Sequence, residues 1–348
     1  MPGLPKGRPN QTTLSMTTYF ITGATGFVGS HVAERAIARG AKVRALVRPT
    51  ADRTLLEKIG AEIIVGDLND VDAIRRATDG VDVVVNSAAK VGDWGPVEEY
   101  RKVNVEGVRI LLEAVKGKPL QRFVHVSSSG VYAARHHYGT DETEPLPLDH
   151  IDGYTQTKVE AEKVALAYVR DFAVPVTILR PGFIYGPRDR TLLPRMIERL
   201  RERTVIYVSR GRTALNTTYV GNIVDAIFLS IDNPRAVGEV FNINDGELVS
   251  KRQFFEAVAD GMNLPRPRGS VPLFVAWWTA NWRERAFRKK NKPNPPRITQ
   301  STVKFAGLNL DFSIAKARTV LGYSPAVGFE EGIRAAIEWH KQAYPTTQ

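Results

Sequence analysis

The chain contains no cysteine. That excludes disulfides, thiolate nucleophiles and cysteine-held metal clusters, and it suits a reducing compartment. Histidine is scarce as well, with six residues and none in an HxxxH or HExxH spacing, so no metal site is expected. No apolar run reaches the ~20 residues that a spanning helix needs, and none near the start has signal-peptide form, so secretion is not implied. Acids are missing from one region in particular. Between Leu264 and Lys304 ten basic residues stand against a single acid, Glu284, which places +9 of the net charge of +11 in one segment. Basicity is therefore local and needs a local explanation.

What is present reads as a soluble α/β protein. Apolar residues at 43% and charged residues at 24% are ordinary for a globular chain. Residues 1–16 lack periodicity and are expected to form a disordered leader, with Met16 as the expected natural start just before the first strand. Apolar runs follow at Tyr19–Thr22, Lys42–Val47, Glu62–Gly66, Val81–Ala88, Phe123–Ser127, Val176–Arg180 and Val240–Ile243, with helical patterns between most of them. Strands alternating with helices predict a Rossmann-type, doubly wound parallel sheet. The dinucleotide-binding part is expected over 17–185 with 213–245 added to its core. A smaller, mostly helical substrate-binding portion is expected from 186–212 and 246–348.

The first strand runs directly into Gly23-Ala24-Thr25-Gly26-Phe27-Val28-Gly29 and then a helix. Such a turn needs residues that tolerate positive φ, lets the backbone approach a pyrophosphate, and opens a helix N-terminus toward it. In this strand–turn–helix setting it predicts dinucleotide binding by Gly23, Thr25, Gly26, Phe27, Val28 and Gly29. The tip of the second strand names the dinucleotide. It reads Ala45-Leu46-Val47-Arg48-Pro49, without the acid that usually meets the ribose hydroxyls. Arg48, with Arg53 nearby, can clamp a 2′-phosphate instead, so NADP(H) is expected as the preferred cofactor with NAD(H) as the alternative. Asp67 and Leu68 are placed beside the adenine, with Asp67 also a candidate helix cap. The small residues Ser87, Ala88 and Ala89 would let the cofactor pass the end of the fourth strand.

Tyr154-Thr155-Gln156-Thr157-Lys158 sets a phenol and an amine one helical turn apart on one face. A phenol titrating near 10 is a poor acid or base at neutrality. An adjacent ammonium is expected to bring it toward the working range. By itself the spacing is weak evidence, since tyrosine and lysine meet this way on many solvated helix faces.

Taken together, these residues resemble the extended short-chain dehydrogenase/reductase family, over nearly the whole chain from Tyr19 to Trp339. The motifs that carry the resemblance are Thr22 to Gly29, Gly66-Asp67-Leu68, Asn104-Val105-Glu106-Gly107, Val126-Ser127-Ser128 leading to Val131-Tyr132, the Tyr154/Lys158 pair, and Arg180-Pro181-Gly182 leading to Tyr185-Gly186-Pro187. Within the family the chain looks most like the 3β-hydroxysteroid dehydrogenase branch, which also takes in bacterial reductases of 2-alkyl-3-oxo fatty acids. The pointers are Ala89 to Gly95, Tyr219-Val220-Gly221-Asn222 and the tail from Val271 to Lys292 followed by Phe312-Ser313-Ile314. Steroid-type members commonly keep an acid where this chain has Arg48.

The resemblance implies a ketone/alcohol oxidoreductase acting on a small hydrophobic substrate that is steroid-like, isoprenoid or 3-oxo fatty acyl. Tyr154 would relay the proton, Lys158 would tune it and hold the nicotinamide ribose, Ser128 would bond the substrate oxygen and Asn104 would hold a water in the proton path. Pro181, Gly182 and Ile184 would face the nicotinamide, while Trp94, Ser129 and Tyr185 would meet substrate. The rival reading is an NAD-dependent nucleotide-sugar epimerase or dehydratase. That branch usually has an arginine for the substrate diphosphate, and the corresponding stretch here, Leu215 to Val220, has none, although Arg210 and Arg212 are near.

The tail offers two readings of its own. Trp277, Trp278, Trp282 and Phe287 followed by cations suit a helix lying in an anionic membrane interface, and they equally suit a lid with its aromatics turned onto the pocket. Nucleic acid is not an expected partner, since no reading helix or stacking sheet accompanies the cations. A cytoplasmic protein is expected, with a place at the membrane surface through 271–292 and a homodimer both left open.

Overall fold

The computed structural model describes residues 16–147 and 149–345. Apart from Met16, the expected leader lies outside the described residues. Seven strands form one sheet: β1 Thr18–Thr22, β2 Lys42–Val47, β3 Glu62–Val65, β4 Val83–Asn86, β5 Arg122–Val126, β6 Val176–Pro181 and β7 Val240–Ile243. All pairings are parallel, in the order β3-β2-β1-β4-β5-β6-β7. The chain reverses direction of travel between β1 and β4, and this switch point opens a crevice beyond the strand ends. Strands β1, β4 and β5 are buried throughout, as a sheet covered on both faces requires.

Alternation along the strands separates two cores. Ile21, Val83 and Val124 face helix α1 (Phe27–Ala38) and helix α5 (Val220–Asp232). Phe20, Val84 and Phe123 face helix α3 (Gly107–Val115) and helix α4 (Gly153–Phe172). The intervening helix α2 (Val71–Ala77) is capped by Asp70. Burying each such side chain contributes about 1.5–3 kcal/mol.

A third cluster, including Leu193, Ile197, Phe254, Val258, Ile333 and Ile337, forms the core of the C-terminal portion. It draws on helices α6 (Lys251–Gly261) and α9 (Phe329–Ala343). The expected division at residue 246 is less clean than composition suggests. Ile314, Ala317, Leu321 and Tyr323 return to the α1 face of the sheet, and Leu310–Phe312 pairs in parallel with His137–Thr140. Between these lie two more helices, α7 (Leu273–Lys289) and α8 (Gln300–Gly307). They pack on each other through Ala276, Ala280 and Val303. Among the described residues no helix is long and apolar enough to cross a membrane.

Candidate active site

Asp152 starts the helix that carries the tyrosine. Its carboxylate accepts from the Thr155 amide at 2.7 Å and the Thr155 hydroxyl at 3.0 Å, satisfying donors that the first turn leaves open. This puts Tyr154 on the first turn and Lys158 on the next. Lys158 is 3% exposed. Its ammonium donates to the Val126 carbonyl at the end of β5 at 2.8 Å and stands 6.0 Å from the centre of the Tyr154 ring.

The expected lowering of the phenol does not appear in this state. Burial pushes Tyr154 up to about 12, a hydrogen bond with Ser128 pulls the other way, and Asp152 adds to the rise. Burial also brings Lys158 down to about 8 against the opposing pull of Glu162. Both groups lose water in one pocket, and the ammonium is aimed at a peptide carbonyl rather than at the phenol, so dehydration dominates. Near neutrality the phenol keeps its proton and the amine its charge.

Three consecutive serines follow β5, and each has a different partner. Ser127 is buried and donates to Glu162 at 2.5 Å. Ser128 turns toward Tyr154 and accepts from the Gly130 amide at 3.0 Å. Ser129 accepts from the Asn216 side chain at 3.3 Å. Beneath them Glu162, one turn beyond Lys158, accepts from Arg180 at 2.6 and 3.0 Å, and Arg180 reaches the Tyr132 hydroxyl at 2.9 Å. Tyr132 in turn donates to Asn242 at 2.8 Å. This buried chain ties β5, β6 and β7 to the helix under the site. Removing one partner of such a buried pair costs about 3–5 kcal/mol.

Asn104 lies on a π-helical turn, Lys102–Glu106, directly before α3. Both of its side-chain donors are engaged: Nδ2 donates to the Lys90 carbonyl at 3.1 Å and to Thr157 at 3.0 Å, while Oδ1 accepts from the Lys90 amide at 2.8 Å and keeps a second acceptor site. The amide group thus couples the loop after β4 to the Tyr154 helix, leaving no side-chain donor for the expected water.

At the cofactor end, Gly23 has φ +70°, and a Cβ at Gly29 would stand 2.3 Å from the Gly23 carbonyl oxygen. The helix therefore meets the turn at a distance only glycine permits. No side chain caps α1, so its first amide groups remain available to an anion. Ser87 donates to the Thr22 carbonyl at 2.8 Å, which holds Ser87, Ala88 and Ala89 against the turn. Thr25, Gly26, Phe27 and Val28 lie on that turn and the start of α1. Pro181, Gly182 and Ile184 lie at and beyond the end of β6. A Cβ on Gly182 would fall 1.9 Å from the Asn216 carbonyl oxygen. These residues fit a dinucleotide: a glycine cradle, an uncapped helix end and a switch-point crevice coincide.

Arg48 is exposed at the tip of β2, while Arg53 pairs with Glu57 at 2.8 Å. Asp67 caps nothing; its carboxylate accepts from Asn69 at 2.7 Å in a local turn, and Asp70 is the cap of α2. Leu68 is buried.

Of the expected substrate residues, Tyr185 is enclosed in a core and Trp94 is engaged by the tail. Tyr185 is 1% exposed and packs against Tyr219, Phe254 and Phe329 in the third core. On the short strand Phe183–Tyr185, alternation sends it inward. Trp94 holds the tail: its indole donates to the Lys292 carbonyl at 3.1 Å, and Arg288 stacks 4.9 Å from the ring centre.

The sequence pattern had not singled out Asp152, Asn216 or Lys304. An Asp just before a helical pattern is a readable cap signal. Lys304 has no such signal, because its ammonium donates to the carbonyls of Gly130 at 2.9 Å and Tyr132 at 2.8 Å, more than 170 positions away.

The profile of the NAD dependent epimerase/dehydratase family matches residues 19–244. The chain belongs to that family. This epimerase/dehydratase-family chain is an extended short-chain dehydrogenase/reductase, and several of its curated relatives are named as dehydrogenases or reductases. It is 29% identical over 330 residues to a 4-hydroxy-2-methyl-3-oxo-4-farnesyl-3,4-dihydroquinoline-1-oxide ketoreductase from Stigmatella aurantiaca, covering 94% of this chain and 97% of the relative. It is 30% identical to a 2-alkyl-3-oxoalkanoate reductase from Shewanella oneidensis over 90% and 84% of the two chains. It is 31% identical to a 3 beta-hydroxysteroid dehydrogenase/Delta 5→4-isomerase from Mycobacterium tuberculosis over 94% and 91%. Among solved structures, that of gox2253 superposes with a TM-score of 0.81 at 29% identity over 95% of this chain and 99% of that one. The NAD complex of UDP-glucuronic acid 4-epimerase from Bacillus cereus shares the fold, with a TM-score of 0.74 at 24% identity over 94% and 100%.

Proposed function

We propose that the protein is an NADP(H)-dependent oxidoreductase that interconverts a ketone and a secondary alcohol on a hydrophobic substrate, using Ser128, Tyr154 and Lys158. The observation that carries this reading is the meeting of a protonated phenol, the Ser128 hydroxyl and a charged amine at the end of β5, beside a glycine turn and an uncapped helix. The dinucleotide would lie over Gly23 to Gly29, pass Ser87 to Ala89, and end against Pro181 and Gly182. Bound there, a reduced nicotinamide supplies hydride to the carbonyl carbon. Tyr154 gives its proton to the carbonyl oxygen, so the ketone becomes an alcohol; run in reverse, the phenolate takes that proton back. Ser128 donates to the same oxygen as charge gathers on it. The Lys158 ammonium stabilises the phenolate left behind.

The hydrophobic substrate class is supported by the ketoreductase and 3-oxoalkanoate reductase relatives. It is also supported by the absence of an arginine from Leu215 to Val220, where Leu215 is fully buried in the apolar core. A diphosphate there would have to turn to Arg210 or Arg212, both exposed, for a charge-assisted partner.

The NADP(H) preference is supported by Arg48 and by the lack of an acid at the β2 tip. Turnover of a panel of aliphatic and polycyclic ketones with NADPH and with NADH tests both parts. Higher kcat/KM with NADPH is expected, and Arg48→Ala should cut that preference by about tenfold, one charged contact. A preference for NADH that Arg48→Ala leaves unchanged would overturn the NADP(H) assignment, and turnover of UDP-sugars without any ketone reduction would overturn the substrate class.

A further inference from the structure

Helix α7 turns three of its five aromatics outward, while Trp277 packs inward on the α8 contact. Ala276, Ala280 and Glu284, spaced by four, are buried against α8, and the small alanines let the two helices approach closely. The opposite stripe is Phe274, Trp278 and Trp282, also spaced by four, and these are 74%, 68% and 60% exposed. A row of three large aromatics in water is an interaction surface looking for a partner. Next to it stand Arg283, Arg285, Arg288, Lys289, Lys290, Lys292 and Arg297, all exposed. Among the described residues none of the seven forms an ion pair; Arg288 instead stacks on Trp94. The one acid of the segment is withdrawn, since Glu284 turns inward to accept from the Gln300 amide at 2.6 Å and side chain at 3.0 Å.

We propose that the exposed face of α7, Phe274, Trp278 and Trp282 with the cationic end that follows, docks the protein onto an anionic lipid surface. Charge complementarity and the aromatic stripe together select this partner. A nucleic acid would use the cations and leave the stripe in water. A second copy would cover the stripe and bring another cationic end to the same interface. A bilayer with anionic headgroups takes both, seating the rings at the headgroup–acyl boundary and the cations among the phosphates. The helix would lie in the plane of the interface, about 26 Å long for its 17 residues.

The docked hairpin is fastened to the candidate site. Ser301 on α8 donates to Asp152, the cap of the Tyr154 helix. Thr299, the cap of α8, donates to Asp93 beside Trp94. Lys304 holds both carbonyls of the loop that follows Ser128. Docking would therefore hold the substrate entrance at the lipid, where a greasy ketone is concentrated. That consequence, unlike the docking itself, rests on the ketone-reductase reading.

Full-length protein should co-sediment at low salt with vesicles of mixed phosphatidylglycerol and phosphatidylcholine, and at least tenfold less with phosphatidylcholine alone. Its tryptophan emission should shift to the blue on binding. Trp278→Ser with Trp282→Ser should weaken binding at least tenfold, and so should replacing Arg283, Arg285, Lys289 and Lys290 by Gln. Both variants should keep the wild-type circular dichroism and turnover of a water-soluble ketone. Failure of the wild-type protein to bind anionic vesicles would overturn the proposal. Undiminished binding by the double tryptophan variant, self-association abolished by that variant without vesicle binding, or binding to duplex DNA alone would overturn it as well. Vesicle binding by a protein that turns over no ketone would support the docking surface and overturn the ketone reading alone.

Discussion

The dinucleotide crevice and the α7–α8 hairpin are built by different means. The crevice is made of backbone. Gly23, Gly29 and Gly182 are there because a Cβ would strike a neighbouring carbonyl or amide, and the strands behind them are buried on both faces. The hairpin is held by side chains: Lys304 on two carbonyls, Ser301 on Asp152, Thr299 on Asp93 and Trp94 on Lys292. Backbone architecture tolerates no substitution at its closest points, even where the partner is far along the chain, as Ser87 and Ala88 are from Gly23. Side-chain fastening can be loosened one bond at a time. The difference predicts that lesions in the crevice damage binding or folding, whereas lesions in the hairpin damage the alignment of Ser128 with Tyr154 and leave the dinucleotide in place.

The largest expected effect lies where the two regions meet. Tyr154→Phe removes the proton and keeps the ring, so kcat should fall by about 10³ within the range typical of general acid catalysis, while NADPH affinity by fluorescence titration stays within a few-fold of wild type. Retention of near-normal kcat would remove Tyr154 from the chemistry. Next comes the crevice itself. Gly29→Ala places a methyl 2.3 Å from the Gly23 carbonyl oxygen, and the turn must shift. Overpacking of this kind costs about 1–3 kcal/mol. Denaturant melts should show that loss together with weaker NADPH binding, and a variant of unchanged stability and affinity would mean the turn is more pliant than its geometry implies.

The same contrast decides how much could be read from residue order. All seven expected runs are strands of the sheet, because each is a local apolar pattern closed by Gly or Pro. The glycine turn was legible for the same reason, its φ demand and the approach of Gly29 to Gly23 lying within a few residues, whereas the contacts of Gly23 with Ser87 and Ala88 do not. Ser128 is picked out by the motif that leads to Val131-Tyr132, and the fold adds that Ser127 turns down to Glu162. Tyr185 read as a substrate residue through its motif, yet its environment is set by Phe254 and Phe329, far along the chain. The hairpin's contacts span 149 to 206 positions, and no local pattern encodes them. The direction of the Tyr154 shift was missed for a related reason. Spacing places an amine beside a phenol, but whether water reaches them depends on the folded surroundings.

Lys304→Met tests the fastening directly. The apolar chain fills similar space, but the carbonyls of Gly130 and Tyr132 lose a charged donor, a loss of about 1–3 kcal/mol for a buried acceptor. With the loop after Ser128 freed, kcat should fall by about tenfold, the effect of roughly 1.4 kcal/mol on the barrier, and NADPH affinity should not change. A variant that loses NADPH binding in proportion would show that hairpin and crevice are one cooperative unit, and the comparison would fail.

The smallest effect is a pH dependence in which the crevice and the hairpin overlap, because burial brings Lys304 down to about 8 as well. Lys158 is brought down to about 8 by burial, opposed by Glu162. The groups facing it do not titrate with it: His125 on β5 is held well below its usual range by burial and by Lys158 itself, and Tyr154 stays protonated to about 12. Lys158 is therefore charged below about 8 and neutral above it. An ammonium that stabilises the developing phenolate is useful only while charged, so kcat for ketone reduction should be level through neutrality and decline several-fold as pH rises through about 8. Lys158→Arg should lower activity at every pH, because a planar guanidinium cannot repeat the amine's contact with the Val126 carbonyl. It should also reduce the decline to the part carried by Lys304, since the guanidinium keeps its charge throughout. A decline that persists unchanged in Lys158→Arg would assign the titration to another group and leave Lys158 with a binding role only.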